Sequence, residues 1–121
     1  MIPKFRAWDR IQNKMIDVDE IHFDNGQLDF IGDAITFMRT VDEIELMQST
    51  GLKDKNGKEI FEGDIVSIDT DEFDLLFVKY EVGIYCLMDD EGCAEYLSDY
   101  YNSVSVVGNI YESQEIFGDS E

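Results

Sequence analysis

Residues 51–68 read GLKDKNGKEIFEGDIVSI, Gly51 to Ile68, and this stretch decides the fold class. Asn56-Gly57 tolerates the positive φ that a tight connection between antiparallel strands needs. Gly63 then frees the backbone for a sharp entry, Asp64 offers its carboxylate to the turn amides, and Ile65 to Ile68 continues as a buried strand. Strand and turn alternate here with no apolar stripe at helical spacing.

The same grammar extends in both directions. On the C-terminal side Leu75 to Val82 and Ile84 to Met88 flank Gly83, and Asp89-Asp90-Glu91-Gly92 is an acidic turn. Cys93 to Leu97 pairs back, Ser98 to Ser103 holds a short helical turn, Val104 to Tyr111 closes with a strand, and Asp69 to Asp74 is expected to be a loop. On the N-terminal side Lys4 to Ala7 begins a strand that ends near Trp8-Asp9, followed by a polar turn through Gln12-Asn13-Lys14. Met15 to Phe23 changes parity near Asp19-Glu20, which a bulge or bend absorbs. Asn25-Gly26 marks a second tight hairpin that returns Leu28 to Phe30 alongside Ile21 to Phe23. Residues 33–38 fit strand or short helix, and Ile44 to Gln48 alternates as strand.

At 121 residues the chain is the size of one domain. Short strands with tight turns suggest closure, which removes exposed edges. We therefore expect a mainly β protein, a single domain over 1–121. Residues 60–112 form its barrel core, 1–59 pack on it as β elements, and 118–121 are a frayed tail.

The net charge of −19 is unevenly spread. Residues 1–58 carry 8 Lys/Arg against 11 Asp/Glu, a net of −3; residues 59–121 carry Lys79 against 17 acids, a net of −16. Such a surface repels phosphate backbones and anionic lipids, so no direct nucleic-acid binding and no membrane binding are expected. The acids serve solubility on the solvent faces of strands and in loops, or they present a surface to a basic protein partner. Apolar runs fall far short of the roughly 20 residues that span a bilayer, and the start lacks a secretory pattern, so the expected location is the cytoplasm. In that compartment Cys86 and Cys93 are expected as free thiols.

Three blocks carry a family resemblance: KFRAWD at Lys4–Asp9, LMQSTGLKDKNGKEIFEGDIV at Leu46–Val66, and VVGNIYES at Val106–Ser113. In this order they resemble the YopX family of phage and prophage proteins. Ser49 and Phe61 stand where relatives typically have Tyr. The resemblance implies an SH3-like small β-barrel with N-terminal β-hairpins and little helix, a phage or prophage setting, and a homo-oligomer. It implies no activity.

Candidate sites are few. His22 is the single histidine, with no local group to orient its ring as catalysis demands. Asp69, Asp71 and Asp74 offer carboxylates, but the sixth and twelfth positions of a calcium loop hold Asp74 and Tyr80 where Gly and Glu belong. The GLKDKNGK run lacks the spacing of a phosphate loop. No catalytic set, metal site or cofactor is assigned. Candidate contact residues are Arg6 and Trp8, of types favoured at binding hot spots, Lys53, Lys55 and Lys58 on one turn, and Tyr100 and Tyr101; the competing readings are a core or barrel-lid Trp8, a solvated lysine turn, and tyrosines packed over the barrel end. The expected function is a non-enzymatic protein-binding or regulatory module. The alternatives are an acidic mimic of DNA that inhibits a host DNA-binding protein, and a small metal-assisted hydrolase.

Overall fold

A computed structural model describes residues 4–68 and 71–112, giving for 71–74 the backbone. The chain divides into two compact units, Met1–Gln48 and Ser49–Glu121. The protein is mainly β, with antiparallel sheets and one short helix.

In the first unit, β1 (Phe5–Asp9) pairs antiparallel with β2 (Lys14–Val18), Ala7 opposite Ile16. The chain bends at Asp19-Glu20, where parity changes, before β3 (Ile21–Asp24). Asn25 and Gly26, at φ 54° and 79°, turn it into β4 (Gln27–Gly32), and β5 (Met38–Thr40) lines the far side of β4. Between β4 and β5 residues 33–37 are a bent connection, neither strand nor helix, and Met38 begins β5. The Asp33 carboxylate accepts the N–H groups of Ile35, Thr36 and Phe37 and the Thr36 hydroxyl, so the segment needs neither helix nor ladder. A 3-10 turn, Val41–Glu43, is closed by a reciprocal cap between Thr40 and Glu43. It leads into β6 (Ile44–Lys53), whose first half pairs with β1, Ala7 opposite Leu46. Ala7, Ile31 and Ile44 are buried at the centre, with Ile16, Val18, Ile21, Leu28, Phe37 and Leu46 around them.

In the second unit the end of β6 pairs with β7 (Glu59–Phe61). Five strands then form one sheet: β8 (Asp64–Ile68), β9 (Asp71–Glu81), β10 (Ile84–Asp89), β11 (Gly92–Tyr96) and β12 (Val104–Asn109). Their order is β11-β10-β9-β8-β12, all neighbours antiparallel. The sheet curls as a half-barrel, with β11 and β12 at its two ends rather than bonded to each other. Its core is Ile60, Val66, Leu76, Val78, Leu87, Leu97 and Val104, each worth about 1.5–3 kcal/mol on leaving water. Helix α1 (Leu97–Tyr100) sets Leu97 into that core, and a 3-10 turn, Tyr101–Ser103, follows.

Two expectations change. The Asp69–Asp74 loop is shorter, because β9 begins at Asp71 and pairs with Ile68, so that Phe73 and the residues around it extend the hairpin. Cys86 and Cys93 are bonded to each other, with Cα atoms 5.5 Å apart. A register shift between Leu87 and Met88 places these residues diagonally across the β10–β11 hairpin, within bonding reach; compartment alone does not capture that proximity. The tail 118–121 lies outside the described residues.

Candidate protein-interaction surface

The block that decides the fold is organised by buried polar atoms. Asp54, 6% exposed, accepts the N–H groups of Asn56 and Lys58 at 2.8 and 2.9 Å through Oδ1, and that of Val106 at 2.8 Å through Oδ2. Burial alone would raise its pKa, but these N–H groups outweigh that and hold the carboxyl below its ordinary value. Asp64, also buried, accepts the Phe61 N–H, while Gly63 at φ 87° donates to Val78 and accepts from Ile110. Asn109 accepts the N–H groups of Tyr111 and Glu112. In the middle block Thr50 Oγ1 donates to the Ile60 carbonyl, and Ser49 Oγ donates to Glu59. The recognisable residues of the second and third blocks thus build turns and strand joints.

The candidate contact residues are distributed over both units. Arg6 and Trp8 share the face of β1 opposite Ala7 and Asp9, level with Met15 and Asp17 on β2 and Glu45 and Met47 on β6. Both are half-buried, so they belong to a packed sheet face more than to a free anchor. On the other face Asp9 is fully buried, accepting from Arg39 Nε at 2.9 Å and from the Ile11 N–H. Burial pushes its pKa up, but Arg39 and the local N–H groups bring it below the usual range. Lys53, at the end of β6, and Lys55 and Lys58 in the Asp54 turn are exposed. Tyr100 and Tyr101 pack against the core, so they brace α1 rather than form an open patch.

His22 stacks on Phe30, ring centroids 4.2 Å apart, and its Nε2 lies 3.1 Å from the Gly32 carbonyl and 3.5 Å from Glu20. It serves cross-strand packing. Among the described residues no three His, Cys, Asp or Glu side chains converge as a metal site. Asp69 and the side chains of Asp71 and Asp74 lie outside the described set.

What sequence reading missed is the character of β11. The exposed acids Asp90, Glu91, Glu95 and Asp99, with half-buried Asp89, surround this strand at one end of the sheet. Cys93, Ala94, Glu95, Tyr96 and Asp99 line a cleft of about 290 Å³. Tyr96 and Ile84 are 51% and 44% exposed, and Val82, at the tip of the β9–β10 hairpin, is 99% exposed. The acidic run was visible in the sequence, but its position along a strand edge depends on long-range pairing. No helix among the described residues is long and apolar enough to cross a membrane.

Comparison with known proteins agrees with this architecture. The family model described as YopX protein matches residues 4–117. Protein EF1440 from Enterococcus faecalis superposes with a TM-score of 0.72 at 30% identity, covering 96% of this chain and 98% of that one. YopX from Bacillus subtilis gives a TM-score of 0.59 at 20% identity, with coverages of 93% and 96%, a likeness of fold. No curated protein matches the chain. By the extent of the family match and by the EF1440 likeness, the chain belongs to the YopX family.

Proposed function

We propose that this chain is a non-enzymatic binding or regulatory module of phage or prophage origin that acts through contact with a basic protein. The observation that carries this reading is the gathering of exposed acids around the β10–β11 hairpin and α1, beside exposed Tyr96 and Ile84. Acids steer a basic partner by long-range attraction, and apolar side chains supply the contact energy once it arrives. Residues 60–112 act as the SH3-like scaffold of that surface, and self-association, which the resemblance implies, is checked by light scattering.

The test places a photo-crosslinking amino acid at position 90 in the host cytoplasm. A discrete basic protein should be captured, in a yield that falls with added salt and with neutralisation of Asp89, Asp90 and Glu91. Crosslinks scattered over unrelated proteins, unaffected by salt, would refute the reading. Capture of a DNA-binding protein that releases its DNA on contact would specify the action as inhibition by DNA mimicry.

A further inference from the structure

The five-stranded sheet ends differently on its two sides. At β12 two outward backbone groups are taken: Lys55 N–H donates to the Val104 carbonyl at 3.0 Å, and Asp54 accepts the Val106 N–H. At β11 the strand partner is β10, and among the described residues no backbone hydrogen bond like these covers its outer side. Strand edges with unpaired N–H and C=O groups template the addition of another strand.

The side chains specify what kind of strand would fit. Tyr96 stands opposite Cys86 and shares a face with Ile84, whereas Glu95 stands opposite Leu87 on the other face. Glu91 and Asp99 flank the edge, and from Val82 to Glu121 the chain carries no lysine or arginine. A second copy of β11 would bring like charges together, which disfavours edge-to-edge pairing of this strand with itself.

We propose that β11 is the docking edge for an extended basic segment of a partner protein, added as a sixth strand. Its apolar side chains lie toward Ile84 and Tyr96, and its lysines or arginines lie toward Glu91, Glu95 and Asp99. The register shift next to Ala94 limits the ladder to a few residue pairs, so specificity rests on charge and alternation together. This rests on the reading of the chain as a protein-contact module and names the site and the partner's chemistry.

The experiment uses the full chain and a fluorescent octapeptide of alternating lysine and valine. Fluorescence anisotropy should show binding, and amide exchange should slow at Cys93 to Tyr96 while Val104 and Val106 stay unchanged. The variant Glu91→Gln/Glu95→Gln/Asp99→Asn should weaken binding at least about tenfold. Two further octapeptides, N-methylated at odd or at even positions, keep the charges but block one edge of the ladder each; one of them should lose binding. Equal affinity of both with the parent, protection away from β11, or no binding would each overturn the edge. If the octapeptide fails while position 90 still captures a basic protein in a salt-sensitive way, the docking edge falls and the broader function stands.

Discussion

Replacing Asp54 tests the central claim about the deciding stretch of sequence, that one buried carboxylate ties the β6–β7 turn to β12. A hydrogen bond to a charged group contributes about 1.5–3 kcal/mol. The Asn56 and Lys58 N–H groups sit on an exposed turn where water replaces much of their bond, so each counts nearer to about 0.5–1 kcal/mol. The Val106 N–H lies in the sheet, 52 residues away, and its bond keeps the full value. Asp54→Ala should therefore cost about 2.5–5 kcal/mol, a large share of the 5–15 kcal/mol typical of a domain. Asp54→Asn, which keeps an acceptor for the turn but turns an amide toward Val106, should cost about 1.5–3 kcal/mol. The pH dependence follows from the depressed carboxyl. Its contribution is complete above the unfolded value of about 3.9 and fades as pH falls through the lower folded value. Urea unfolding followed by tyrosine near-ultraviolet dichroism measures the cost, and hydrogen exchange at Val106 shows its location. A loss below about 1 kcal/mol for Asp54→Ala, or a gap from wild type that persists undiminished in acid, would mean that the Asp54 carboxylate does not hold β12.

Further predictions concern backbone, charge and covalent links. Val82 is a β-branched residue at φ 48° in a hairpin tip where Asn would be at ease, so Val82→Asn should stabilise the protein by about 1 kcal/mol in thermal unfolding. Gly32 sits at φ 98°, and an added Cβ would meet the Phe37 carbonyl oxygen at 2.3 Å; Gly32→Ala should lower stability by about 2–4 kcal/mol, read by urea unfolding. Arg39→Met leaves fully buried Asp9 without its cation and should cost about 3 kcal/mol at neutral pH. The gap should shrink in acid, as wild type loses the contribution of a depressed carboxyl. The Cys86–Cys93 link closes a short loop, so its reduction should cost about 2 kcal/mol, and intact-mass analysis before reduction should find both thiols blocked.

Local features were the legible part of this fold. Asn25-Gly26 and Asn56-Gly57 mark their turns because few residues accept positive φ, and the run from Gly63 to Ile68 announces a strand through its entry residues and apolar content. Asp64 was readable as a turn acceptor for the same reason. Features set by distant pairing were less legible. Asp54 lies in a plain turn sequence, yet its second oxygen is spent on Val106, a partnership that no local pattern contains. Tyr100 and Tyr101 pack against the core, as their aromatic bulk suggests, but which elements carry them there, α1 for one and the 3-10 turn for the other, follows from Leu97 entering the core. The β12 edge, where a closed barrel would need β11, instead receives the Asp54 turn at Val104 and Val106. Acidity was plain from composition, whereas its alignment with one strand edge required the sheet order.

The capping of β12 by the Asp54 turn bears on how far association through this sheet can run. Growth of a fibril by strand addition needs a donor border and an acceptor border on every subunit, so that each arrival leaves a fresh site. Here the β12 border is engaged within the molecule at Val104 and Val106, so the β11 edge of a second copy does not meet a free partner strand there. Head-to-tail stacking of copies through this sheet is thereby disfavoured, a brake on polymerisation along this axis that acts without any charge on the strand.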